Sequence, residues 1–185
     1  MTEHEQLVRL LATRSARRGQ FTLASGRQST LYIDARLTTM SPAGLVLIGT
    51  LGLNQIRENW GADSIGGLTL GADPISYAIS YASAQTEVPL RAFTVRKEAK
   101  THGMGKLIEG PFQSGDRTIV IEDVITTGSS ALKAIAAIKN AGGSIIGVLA
   151  LVDREEGGRE AIEATGIPVI SLVTAHEILP LISTD

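Results

Sequence analysis

The sequence predicts an α/β protein built on a mainly parallel central sheet flanked by helices. Three observations carry that reading. From about residue 41 onward, short apolar runs alternate with amphipathic stretches, the order of βα units. The runs, Ile145 to Val152 for example, are near-continuous, as in strands buried on both faces. Glycine is plentiful, at 20 of 185 residues, which suits many tight strand-to-helix turns. The expectation is a single domain over 1–185, long enough to bury about 70% of its unfolded surface.

The elements follow in order. Residues 3 to 18 read as an amphipathic helix, with Leu7, Leu10, Leu11 and Arg14 on helical spacing and Gly19 as its stop. His4 reads as an exposed residue with no role. Phe21–Leu23 and Leu31–Ala35 read as short strands around a Ser25-Gly26-Arg27 turn. Ser41 and Pro42 are an N-cap and a first helical position, opening a helix to about Asn59. A strand over Ser64 to Gly67 leads into GGLTLGADPI, a glycine-rich turn, and a helix from about Asp73 to Ala84. Tyr77 and Tyr81, four apart, read as helix packing. Leu90 to Val95 is the next strand. Ala131–Ala141, Arg159–Ala164 and Ala175–Leu179 read as helices; Ile145–Val152 and Val169–Val173 read as strands. His176 reads as structural.

Composition excludes several classes of function. Formal net charge is −2, so no overall basic character points to nucleic acid. Cysteine is absent, which removes disulfides, thiol nucleophiles and cysteine–metal sites. MTEHEQLVRL has acids where a signal peptide needs a basic start. No apolar run approaches the ~20 residues of a membrane span. A soluble cytoplasmic protein is expected, with no membrane partner.

The chemistry concentrates in IVIEDVITTGSSA, Ile119 to Ala131. An apolar strand carries two adjacent acids, Glu122 and Asp123, at its end. Thr126, Thr127, Gly128, Ser129 and Ser130 then form the entry to a helix. Unpaired N–H groups at a helix start, with the helix dipole, suit phosphate. Adjacent carboxylates suit sugar hydroxyls or the waters of Mg²⁺. Together they suggest a phosphorylated sugar, though an acidic strand end followed by a Ser/Thr helix cap remains an alternative. Two further clusters stand near strand ends. Arg96 to Gly110 holds Arg96, Lys97, Lys100, His102 and Lys106 among glycines, either a solvated hairpin or a mobile lid over pyrophosphate. Asp153 and Arg154 stand where open α/β sheets place ligand-binding groups.

The Ile119–Ser130 stretch resembles the 5-phosphoribosyl 1-diphosphate (PRPP) motif of type I phosphoribosyltransferases. Phe21, Leu23, Ser25, Gly26, Arg27, Ser29, Tyr32, Asp34 and Arg36 fit the hood segment of orotate phosphoribosyltransferases, and Arg96, Lys97, Lys100 and His102 fit their RKxxKxHG loop. The resemblance implies a type I phosphoribosyltransferase-like fold with a small hood formed mainly by about 1–40. It implies transfer of phosphoribosyl from PRPP to orotate, giving orotidine 5′-monophosphate and pyrophosphate. Another nucleobase phosphoribosyltransferase, or a PRPP-binding regulator, stands as the alternative.

The resemblance also assigns residues. Arg96, Lys97, Lys100, His102, Glu122, Asp123, Val124, Ile125, Thr126, Thr127, Gly128, Ser129 and Ser130 bind PRPP. Arg96, Lys100, His102 and Asp123 act in catalysis. Thr126 and Arg154 bind orotate. Mg²⁺ is held mainly through PRPP, with a water-mediated contact from Asp123 or Asp73 left open; capping is the other reading of Asp73. A homodimer is implied, with the 96–110 loop reaching the neighbouring site. The chain departs from many relatives at Ala24 and from some at Gly71, where lysines stand.

Overall fold

The computed structural model describes residues 1–22, 28–98 and 106–182. Helix α1 (Glu3–Leu10) starts at a capping box, in which Thr2 and Glu5 satisfy each other's backbone N–H groups. A π-helical turn, Leu11–Ser15, follows, and the chain then enters strand β1 (Ala16–Thr22). The expected helix therefore ends three residues early, and Gly19 lies within a strand. Pairing is the reason: Ala16, Arg17 and Arg18 oppose Ile33, Tyr32 and Leu31 of β2 (Gln28–Ile33), and this antiparallel ladder takes up the backbone groups a helix would use. β1 and β2 form a sheet of their own. A one-turn helix the sequence did not reveal, α2 (Arg36–Thr39), leads to α3 (Pro42–Asn59), whose N-cap Ser41 accepts from the Gly44 N–H at 3.1 Å.

The second sheet holds β3 (Ser64–Leu68), β4 (Arg91–Val95), β5 (Ile108–Glu109), β6 (Arg117–Ile125), β7 (Ser144–Asp153) and β8 (Val169–Thr174), in the order β5-β4-β3-β6-β7-β8. All neighbours are parallel except β4 with β5. Helices α4 (Ala72–Ser83), α5 (Ser129–Asn140), α6 (Gly158–Glu163) and α7 (Ala175–Ile178) follow β3, β6, β7 and β8.

Strand side chains alternate between faces, and the core splits accordingly. Ile119, Ile121, Leu149 and Leu151 join α1, α3 and α4 in one apolar cluster. Val120, Val148, Ala150 and Phe93 join α5 and α6 in another. Continuous apolar runs are thus what a sheet covered on both faces requires. No helix among the described residues is long and apolar enough to cross a membrane.

Several side chains depart from expectation. His4 is half-buried, its Nε2 3.1 Å from the Leu172 carbonyl and 3.2 Å from Glu177, so it ties α1 to α7. The side chain of His176 is exposed, and its backbone N–H donates to Glu155 instead. Tyr77 and Tyr81 project to solvent at 52% and 74% exposure, rather than packing inside.

Candidate active site

The strand order reverses between β3 and β6. In open α/β sheets, a crevice opens at such a point outside the carboxyl ends of the strands. The crevice here has a volume of about 290 Å³. Its walls are the end of β3 and the loop after it (Leu68 to Gly71), Glu122 and Asp123 of β6, Ser130 of α5, Lys97 after β4, and the end of β2 with the residues after it (Tyr32 to Arg36). Segments far apart in sequence meet because each lies at or just beyond the carboxyl end of a strand.

The two acids lie within β6, not after it, since pairing with β7 continues to Ile125. They differ in burial. Glu122 is buried, and its carboxyl pKa is pushed well above the usual range, first by burial and then by the charge of Asp123. Asp123 is half-buried, and its Oδ1 accepts from the Val124 N–H at 2.9 Å. One acid is therefore biased toward its neutral form beside a carboxylate that faces the crevice.

The turn after β6 is capped by Gly128, whose φ of +76° suits a residue without Cβ. No side chain caps α5, and Thr127 Oγ1 bonds Ser129 Oγ at 3.2 Å instead. The Ser/Thr cap weighed from the sequence is absent, so the first N–H groups of this 12-residue helix face outward without a side-chain acceptor.

The loop after β3 approaches Asp123 closely. A Cβ built on Gly71 would stand 2.7 Å from Oδ1 of Asp123, and closer still to Oδ2. Asp73 is not a cap: it is the second residue of α4, whose N-cap is Gly71. It is buried, and its two oxygens accept from Thr69 Oγ1 at 2.7 Å and Thr94 Oγ1 at 2.8 Å. It braces the loop rather than facing the crevice.

The comparisons agree with this geometry. No protein-family model matches the chain. Over 182 residues it is 49% identical to the orotate phosphoribosyltransferase of Aquifex aeolicus, covering 97% of this chain and 99% of that one. The chain belongs to the orotate phosphoribosyltransferase family. It is 44% identical to the orotate phosphoribosyltransferase of Mycobacterium avium, covering 92% and 93% of the two chains. The orotate phosphoribosyltransferase of Mycobacterium tuberculosis H37Rv, solved with Fe(III) dicitrate, superposes with a TM-score of 0.85 at 41% identity, covering 96% and 99%. The same enzyme solved with PRPP gives a TM-score of 0.81 at 38% identity, covering 96% and 99%.

The expected site residues of this family member divide into groups. Glu122, Asp123, Ser130 and Lys97 line the crevice. Val124, Ile125, Thr126, Thr127, Gly128 and Ser129 form the rest of β6 and its turn. Arg96 stands outside, its guanidinium 3.6 Å from Glu109. Lys100 and His102, with Ala24, Ser25, Gly26 and Arg27, lie outside the described residues.

Arg154 is buried behind the hairpin. Its Nη2 donates to Ser29 Oγ at 2.7 Å and to the Leu31 carbonyl at 2.8 Å, and pairs with Glu156 at 2.7 Å. Its buried Nε has no partner among the described residues. It thus joins the hairpin to the end of β7.

Sequence reasoning placed Tyr32, Asp34 and Arg36 in the hood motif without a site role, yet all three line the crevice. The available signal was the Asp-x-Arg spacing immediately after an alternating strand.

Proposed function

We propose that this chain transfers the 5-phosphoribosyl group of PRPP to orotate, the reaction of its family, in pyrimidine synthesis. The observation that carries it is the meeting, at one strand-order reversal, of an acid pair, an uncapped helix start and a glycine loop. The N–H groups of the Thr126–Ser130 turn bind the 5-phosphate, to which the helix dipole adds attraction. Asp123 and Glu122 hold the ribose hydroxyls. Asp123, the less buried of the two, stabilises the positive charge that builds on the ribose as the C1–oxygen bond breaks.

Orotate deprotonated at its ring nitrogen supplies the electron pair for the new C1–N bond. Pyrophosphate leaves with the electrons of the broken bond. The loop N–H groups, Lys97, Lys100 and Arg96 balance its charge, with His102 as a hydrogen-bond partner. For Arg96 this means leaving Glu109, a half-exposed pair of small cost, about 0–1 kcal/mol. Arg154 holds the orotate carboxylate by exchanging its contacts with Ser29 and Glu156 for it, and Thr126 holds the ring. Residues over 96–110 close over the site and exclude water.

The donors fit Mg²⁺ held mainly by the diphosphate. Asp123 presents a carboxylate to the crevice, whereas both oxygens of Asp73 already accept from threonines. The ion, when bound, supplies charge neutralisation at the leaving group.

The proposal includes a cytoplasmic homodimer whose 96–110 loops cross between sites. An exposed apolar groove between α3 and α4, lined in part by Leu45, Val46, Tyr77 and Tyr81, supports it.

The test is loss of orotate ultraviolet absorbance on adding PRPP and Mg²⁺, with uracil, adenine and hypoxanthine as controls. Orotate-specific, PRPP-dependent loss is expected. Consumption of another base instead, or of none, would contradict the reading.

A further inference from the structure

We propose that Arg36, oriented by Asp34, binds the pyrophosphate group of PRPP in place of the loop lysine that Gly71 excludes. The inference rests on the phosphoribosyl-transfer reading above, and it names a contact that reading does not supply.

Arg36 opens α2 at the mouth of the crevice, which it lines together with Leu68 to Gly71. Its Nε donates to Asp34 Oδ1 at 2.8 Å and its Nη2 to Oδ2 at 3.0 Å. The backbone N–H of Arg36 also reaches Oδ1, at 3.2 Å. Asp34 is thus held from two sides, and one edge of the guanidinium is fixed. The fork has five N–H donors, so an outer edge remains, and its Nη1 bonds no described residue. A planar fork with one edge anchored and the other facing a crevice is pre-oriented for a phosphate oxygen pair.

For a diphosphate the crevice is short of cations. Asp34, Glu122 and Asp123 line the crevice, and the cations among its described lining residues are Lys97 and Arg36. The field of Asp123 reaches Arg36, adding to that of Asp34 and helping to keep it charged. The loop itself offers no cation. A side chain at Gly71 would have to displace the carboxylate of Asp123, and with glycine there the loop meets a ligand without a cation of its own. A diphosphate over that loop draws its side-chain charge from the facing wall, where Arg36 stands.

The test compares parent, Arg36→Gln, Arg36→Lys and Asp34→Asn by titration calorimetry. The probes are inorganic pyrophosphate and ribose 5-phosphate, both with Mg²⁺, and thermal melts check folding. Arg36→Gln should weaken pyrophosphate by about tenfold or more. Arg36→Lys should recover part of this, since it keeps charge but lacks the fork. Asp34→Asn, which loosens the orientation, should fall between parent and Arg36→Gln. In steady-state assays KM for PRPP should rise more than kcat falls in Asp34→Asn. Ribose 5-phosphate should stay within about twofold throughout.

Pyrophosphate affinity unchanged in folded Arg36→Gln would overturn the inference. Equal losses for ribose 5-phosphate would overturn it too, by placing Arg36 on the other phosphate. A parent that binds pyrophosphate through Arg36 yet leaves orotate untouched would fault the reaction and uphold the contact. A parent that binds neither probe would overturn both.

Discussion

Replacing Gly71 with alanine tests how closely the loop after β3 and the acid pair are fitted. The residue sits at φ −63° and ψ −43°, so alanine adopts its backbone without strain. The whole effect therefore comes from one methyl group. Its carbon would stand 2.7 Å from Oδ1 of Asp123, roughly 0.5–1 Å inside an ordinary contact. Asp123 is half-buried and borders the crevice, so its carboxylate can swing aside, losing the 2.9 Å bond from the Val124 N–H. A misplacement of about 1 Å at a reacting centre can cost roughly 10²-fold in rate. Stability should change little, because relief of the clash is local and alanine restricts the unfolded chain by about 0.4–1 kcal/mol. The assay is kcat and KM by orotate absorbance, with a thermal melt. A fall in kcat/KM of about 10²-fold, with the melting midpoint within about 4 °C, is expected. Kinetics within about threefold of the parent would refute the claim that Asp123 must lie against this loop.

Other perturbations read other parts of the molecule. Glu122 holds its proton more tightly when folded, so its stabilisation is complete below the unfolded pKa of about 4.3 and is lost as pH rises through the folded value. Glu122→Gln cannot ionise, and its melting midpoint should rise relative to the parent's above that pH; a constant gap would count against the buried, raised carboxyl. Arg154→Ala strips the hydrogen bonds to Ser29 and Leu31 and leaves Glu156 unpaired, costing about 3 kcal/mol in a urea melt. A loss below about 1 kcal/mol would mean that the link between hairpin and sheet is not a stabilising one. Lys100→Ala should lower kcat by roughly 10²-fold, and mixing it with Asp123→Asn should restore part of the activity if loops cross between subunits. No recovery in verified heterodimers would argue against shared sites.

Much of the fold was legible because its signals are local. Ser41 and Pro42 announced α3, and continuous apolar runs announced strands covered on both faces. The acid pair and its turn were legible as a motif. The upward push on the Glu122 carboxyl was not, because it depends on how deeply the folded chain buries that residue. The first helix was read too long because Ala16 to Arg18 are paid no heed by helical periodicity but are paired by β2, from across a turn. Tyr77 and Tyr81 sit on helical spacing, and spacing alone does not say which face of α4 meets the sheet. Asp73 looked like a cap from its place near a helix start. Only the fold brings Thr69 and Thr94 to its two oxygens. Arg36 escaped for a similar reason, since its role comes from facing a loop more than thirty residues later in the chain.

The most direct test of the account is a crystal structure with PRPP and Mg²⁺. The molecule offers roomier hollows, of about 730 Å³ between α3 and α4 and about 620 Å³ beside Trp60, so the choice of crevice is a real one. The account predicts the 5-phosphate at the start of α5, the ribose over Glu122 and Asp123, and the diphosphate between Gly71 and Arg36. PRPP seated in either larger hollow, or reversed so that its diphosphate meets the α5 turn, would contradict it.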